Sequence, residues 1–360
     1  MRVSRLKIDD FRNISRLKLD FEPAGAIICG KNGTGKTNLL EAIAYCAFGK
    51  SIRSAKDADL VGFSKAFFRI AGDFVFQQNQ LSISAAFDKK QKIIKIDQNK
   101  IQRISELFQY AKVVYFSPED IELVSGAPAN RRRFMNQAIA QSSYQYLEAY
   151  RLYHRILRQR NALLKNDFSY KEKQVWDRRL VQAGSAIIEH RLRFLDDFIP
   201  NLSEKYFFVS GERENLTVDY KFSFPHSEQA DLTEQYLEHL LSLEPDEIRL
   251  QRTLAGPHLD DLSYMIGERS AREFGSQGQK RSLAITSRLV QADIIKAKDA
   301  ETPILIFDDV LADLDQMRAH KIMQLLKADH QIFIATPNQE LYQDFALPEI
   351  DLEKLLNEKQ

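Results

Sequence analysis

A chain of 360 residues that is 44% hydrophobic and 28% charged, with a formal net charge of +1, has the composition of a globular protein and excludes disordered and fibrous classes. No run approaches the roughly 20 apolar residues of a membrane span, and Arg2, Arg5, Lys7, Asp9 and Asp10 leave no apolar signal-peptide core at the start. Cys29 and Cys46 have apolar neighbours that predict buried thiols and a reducing, cytoplasmic setting.

Leu6 and Ile8, then Leu17, Leu19 and Phe21, alternate with polar residues, which predicts two half-buried strands joined through Asp9 to Asn13. Ala26 to Cys29 is continuously apolar, the mark of a strand covered on both faces. Past a glycine-rich stretch, Leu39, Leu40, Ile43, Ala44 and Ala47 recur at helical spacing, and Gly49 supplies a stop. Further antiparallel strands are expected from Phe67 to Ile96. Ser117-Pro118-Glu119-Asp120 opens a helical region in which 131–164 and 170–198 predict two antiparallel helices turned at Asn166 to Ser169. From Thr253 short strands and glycine turns return, followed by a helix, the apolar run Ile304 to Phe307 and a strand at Gln331 to Ala335. The expected fold is α/β: a head built from 1–116 and 253–360, interrupted at 117–252 by a helical insertion with a short antiparallel arm.

Charge is unevenly placed. Between 131 and 195 stand fourteen basic and five acidic residues, a net of +9, and an acidic stretch follows from Asp196 to Glu247. The middle segment is either a polyanion-binding face or a solvated helical surface. Arg151, Arg155 and Arg158, at i, i+4 and i+7, would share one helix face and offer it to a phosphate backbone.

Gly30-Lys31-Asn32-Gly33-Thr34-Gly35-Lys36-Thr37 satisfies G-x-x-x-x-G-K-[ST] between a predicted strand and helix, the context that makes it a phosphate-binding loop. Glycines let backbone N–H groups converge on phosphate, and the helix N-terminus adds its positive end. Lys36 is then expected at the β- and γ-phosphates of ATP, with the Thr37 hydroxyl on Mg²⁺. Ile304 to Phe307 ends in Asp308-Asp309, carboxylates delivered to the ligand-binding edge of a sheet. Asp308 would hold Mg²⁺, and Asp309 would orient or deprotonate the attacking water. Ser276-Gln277-Gly278-Gln279 precedes a further helix and reads either as a plain cap or as a second phosphate cradle. No guanine-reading Asn-Lys-x-Asp occurs; Asn99-Lys100-Ile101-Gln102 comes nearest but lacks the acid.

Taken in order, these motifs resemble an ABC-type ATPase head of the SMC-like branch, with a middle segment too short for a long coiled coil. Within that branch the chain resembles the RecF family of bacterial recombination mediators. The resemblance rests on Gly30 to Asn38, Phe116-Ser117-Pro118-Glu119-Asp120, Arg131-Arg132-Arg133-Phe134, Gly256-Pro257-His258-Leu259-Asp260-Asp261, Ser276 to Gln279 and Asp308-Asp309-Val310-Leu311. Two positions depart from it: Ile52, where the family usually has an aromatic, and Ala312, where it usually has serine. The resemblance implies a slow ATPase acting as a switch, an ATP-dependent homodimer in which Ser276, Gly278 and Gln279 meet the γ-phosphate held by the other subunit, DNA binding at single-strand gaps, and RecO and RecR as partners in loading recombinase. Thr336 falls near the expected γ-phosphate sensor. His258 is either part of a structural turn or a catalytic group. A purely structural, SMC-like DNA-tethering ATPase is the alternative.

Overall fold

The computed structural model describes residues 1–311, 314–326, 329–336 and 347–357; Ala312 lies outside them. Two compact units form: Met1–Asp120 with Ile285–Gln360, and Ile121–Ala284.

In the first unit the opening hairpin, Arg2–Phe11 and Ile14–Asp20, joins Phe68–Phe76, Asn79–Phe87, Lys92–Ile96 and Asn99–Lys100 in one six-stranded antiparallel sheet. Gly25–Cys29 leaves it for a second, five-stranded parallel sheet. There it lies between Glu349–Asp351 and Ile332–Ala335, followed by Ile304–Asp308 and Val113–Phe116. Every residue of Gly25–Cys29, Val113–Phe116 and Ile304–Asp308 is buried, as their unbroken apolar runs require. The helix Lys36–Phe48 is apolar nearly all round, with Leu39, Leu40 and Ala42 through Ala47 all buried. Such a helix needs cover on all sides, and it packs on strands of both sheets. Phe11, Tyr45 and Phe68 meet edge to face at 5.3–6.2 Å beside it, each contact worth about 0.5–1.5 kcal/mol beyond burial.

The second unit holds helices Pro128–Ser142, Tyr144–Leu163 and Tyr170–Val209. The helix expected over 131–164 is broken at Ser143, whose extended backbone ends one helix while its hydroxyl accepts a hydrogen bond from the Tyr146 N–H at 3.2 Å to start the next. The last of the three runs past Phe198 to Val209. The return to the head, expected at 253, comes only at Ile285. The reason is a strand inside the expected insertion: Leu216–Lys221 pairs antiparallel with Asp261–Ile266, so the chain after Thr253 first completes this unit's own three-stranded sheet.

Candidate nucleotide site

The loop from Gly30 to Gly35 turns through left-handed glycines, with φ of 142° at Gly30, 85° at Gly33 and 106° at Gly35. A side chain at Gly35 would come within 2.6 Å of the Asn13 amide. That residue, at the hairpin tip, donates to the Thr34 carbonyl at 3.1 Å and accepts from Asn38 at 2.8 Å, bracing the loop from outside. Lys36 Nζ donates to the carbonyls of Gly30 and Lys31 at 2.6 and 2.9 Å, and Lys31 itself pairs with Glu353 at 3.3 Å. Asn32 and Gly33 are exposed at the loop's crown.

Across from the loop, Thr37 Oγ1 donates to one Asp308 carboxylate oxygen at 2.8 Å and the Tyr115 hydroxyl donates to the other, also at 2.8 Å. Parallel pairing sets Val113–Phe116 beside Ile304–Asp308, with Tyr115 opposite Ile306. Burial pushes the Asp308 carboxyl above the usual range, and the two hydroxyls pull against it. Asp309 takes a left-handed backbone, φ 53°, with its N–H on the Ala335 carbonyl at 3.0 Å. A non-glycine residue held there is strained, as functional residues often are. Its Oδ1 is buried with no hydrogen-bond partner among the described residues. Burial raises this carboxyl too, while the Lys36 charge lowers it. Hydroxyl, paired carboxylate, unpaired carboxylate and ammonium thus gather around one glycine loop, a donor set that fits a magnesium-bound triphosphate.

Sequence reasoning missed three contributors: Asn13, Tyr115 and the buried Glu41, whose carboxylate takes the Arg12 guanidinium at 3.0 Å and the Ser51 hydroxyl. Alternation marked Arg12 and Asn13 as a hairpin tip, but nothing local signalled where that tip lands.

In the second unit, Ser276 N–H donates to the Gln279 side chain at 2.7 Å and Gln279 N–H to the Ser276 hydroxyl at 3.2 Å. This reciprocal cap starts the helix Gln277–Asp299. A side chain at Gly278 would meet nothing within 4 Å. Farther along that helix, Arg288 pairs with Asp120 at 2.6 Å, and the same carboxylate accepts from the Ser117 N–H at 2.9 Å. His258 bonds the Tyr153 hydroxyl at 2.6 Å, and burial pushes its pKa down to about 4. Its ring is partly buried, which favours the neutral form.

The basic segment is less of a face than its count implies. Arg131 pairs with Asp261, Arg160 with Asp177 and Glu247, and Lys173 with Asp177 and Glu244. Arg191 bonds Tyr220, Asn136 and the Pro257 carbonyl. All four cations are buried, and two of them, Arg160 and Lys173, meet carboxylates of the following acidic stretch, Glu247 and Glu244. Arg151 pairs with Glu148, whereas Arg155 and Arg158 are exposed. A different cationic array lies on the open face of the six-stranded sheet, where cross-strand register lines up Lys18, Lys7, Ala71, Ser84, Lys95 and Lys100. Arg16 and Arg69 flank Asp9 in the next row.

Fold and site together define an ABC-type ATPase head. The family model described as "RecF/RecN/SMC N terminal domain" matches residues 2–348. Among relatives named "DNA replication and repair protein RecF", that of Desulfitobacterium hafniense is 34% identical over 94% of both chains. The relative from Heliobacterium modesticaldum is 35% identical over 93% of this chain and 92% of its own. The chain belongs to the RecF family. The solved structure "recombination mediator protein RecF-ATP in RecFOR pathway" superposes with a TM-score of 0.87 at 28% identity, covering 94% of this chain and 92% of that one. An Smc head bound to the C-winged helix domain of ScpA, at 15% identity and a TM-score of 0.58 over 96% and 91%, shares the fold.

Proposed function

We propose that the chain is an ATP-dependent DNA-binding protein of recombinational repair and replication restart, in which nucleotide closes a head-to-head homodimer at single-strand gaps. The observation that carries this reading is the Asp308 carboxylate, held between Thr37 and Tyr115 hydroxyls 2.8 Å away on either side and facing the glycine loop. The loop's N–H groups and Lys36 receive the phosphates of ATP; Thr37 and Asp308 hold Mg²⁺. The bound cation would neutralise charge developing on the β- and γ-phosphates. Asp309, raised by burial and free on one oxygen, has the basicity to take a proton from the attacking water; by family resemblance hydrolysis is slow and serves as the release step. A relative of 28% identity was solved with ATP, in support of this ligand.

Ser276, Gly278 and Gln279 contribute to the partner subunit's γ-phosphate, by resemblance to ABC-type heads. DNA phosphates are met by the row Lys18, Lys7, Lys95 and Lys100, with Arg158 as a secondary contact. The RecFOR pathway of the solved relatives supports RecO and RecR as partners in loading recombinase. Buried thiols at Cys29 and Cys46, not joined in a disulfide, suit the cytoplasm. Light scattering with ATP, ADP and no nucleotide tests the dimer. ATP alone is expected to double the mass of the wild type, and Ser276→Arg to stay monomeric while still binding ATP. A Ser276→Arg protein that dimerises normally would refute the arrangement.

A further inference from the structure

Helices Tyr144–Leu163 and Tyr170–Val209 lie along each other, and between them runs a trough of about 550 Å³. Its floor is Ala149 and Ile156 from one helix and Ala183 and Ala186 from the other. These positions recur at helical spacing, so each helix turns one face to the trough. The alanines leave room for a third backbone to come close. Leu152, half exposed, adds apolar surface at the lip.

The rim is cationic. Arg155 and Arg179 border the trough from opposite helices, and the Arg179 guanidinium stacks 5.5 Å from the Trp176 ring centroid, which fixes its position. Arg158 and Arg178 are exposed nearby in sequence. Of the acids nearby, Glu148 pairs with Arg151 and Asp177 turns inward to Arg160 and Lys173, while Glu172 and Glu189 are exposed on the longer helix.

We propose that this trough docks an acidic amphipathic helix of a partner protein, its apolar stripe on the alanine floor and its flanking carboxylates on Arg155 and Arg179. Charge complementarity selects the acidic partner, and the apolar floor selects a helix with spaced aliphatic anchors. A nucleic acid strand would place phosphates over that floor and find, among the described lining residues, only the Trp176 ring to stack on, so the same features disfavour it.

Trp176 is the only tryptophan in the chain, so its emission reports on the trough in the intact protein. The probes are a synthetic amphipathic helix of roughly 18 residues with leucine and alanine on one face and glutamate on the other, its lysine counterpart, oligo-dT and duplex DNA. The glutamate peptide is expected to shift Trp176 emission saturably to the blue. By anisotropy of the labelled peptide, Arg155→Glu with Arg179→Glu is expected to weaken it roughly tenfold or more while admitting the lysine peptide. Ala186→Met, with an unchanged circular dichroism spectrum, is expected to abolish binding by filling the floor. The proposal is overturned by no saturable response to the glutamate peptide, by an equal response to the lysine peptide, or by oligo-dT or duplex DNA producing the same shift and displacing the peptide. It is equally overturned if Ala186→Met changes self-association in sedimentation, which would make a second copy the occupant.

Discussion

Replacing Tyr115 with phenylalanine removes one oxygen from a strand that is otherwise all packing. That hydroxyl donates at 2.8 Å to the Asp308 carboxylate, whose residue is only 8% exposed, and water has little access to take its place. Losing a hydrogen bond to a buried charged group costs about 1.5–3 kcal/mol. For a unit of roughly 200 residues this lowers the melting temperature by about 3–12 °C. Burial already pushes this carboxyl up, and without the hydroxyl it rises further, so the deficit is expected to shrink toward acid pH as the carboxyl protonates. It is also expected to narrow in saturating Mg-ATP, where a cation shares the carboxylate. Calorimetry of wild type and Tyr115→Phe, with and without Mg-ATP, measures all three. Equal melting temperatures at neutral pH without nucleotide would show that the hydroxyl does not hold the carboxylate, and the account of the site built on that bond would fall.

Lys36→Ala is expected to abolish ATP binding in equilibrium dialysis in a folded protein, since it removes the ammonium that the loop carbonyls hold in place for the phosphates; undiminished affinity would count against the site. Asp309→Asn keeps the nucleotide and slows water activation, so the ATP-bound dimer is expected to outlast that of the wild type in the same light-scattering assay. Replacing Lys7, Lys18, Lys95 and Lys100 by glutamine is expected to flatten the salt dependence of duplex binding by about 0.9 in log–log slope for each phosphate no longer neutralised, with a smaller change for Arg151, Arg155 and Arg158; a larger effect of the arginines would return the DNA face to the helical unit. His258, neutral in the fold with a pKa of about 4 against an ordinary 6.5, takes up its proton more readily when unfolded. It therefore weakens the fold as pH drops from 6.5 toward 4, by about 3 kcal/mol in all, and urea melts of His258→Gln are expected to lack that component.

The glycine loop, the two strand-end carboxylates and the opening hairpin were legible because each is written in consecutive residues. Gly30 to Thr37 needs only its own glycines and the helix after it, and Asp308-Asp309 only the apolar strand before it. What stayed hidden depends on distant pairing. Tyr115 looks like one more buried strand residue until the parallel register sets it beside Asp308. Glu41 sits in an apolar helix with no sign of Arg12 and Ser51 closing over it. The boundary expected at 253 failed for a similar reason, since the pairing of Leu216–Lys221 with Asp261–Ile266 leaves no local mark. Net charge misled because a sequence count does not separate Arg160, at 0% exposure, from an arginine in water.

The order of strands in the parallel sheet carries a consequence for how the protein is made. Gly25–Cys29, which leads into the phosphate loop, pairs with Ile332–Ala335 and Glu349–Asp351, strands that leave the ribosome some 300 residues later. During synthesis the helical unit, contiguous from Ile121 to Ala284, has all its partners before the nucleotide-binding strand has either of its neighbours. The head closes last and over the longest loop, the slow kind of step that non-local pairing imposes. A chain interrupted before these strands therefore leaves Gly25–Cys29 without either of its neighbours and its apolar residues uncovered.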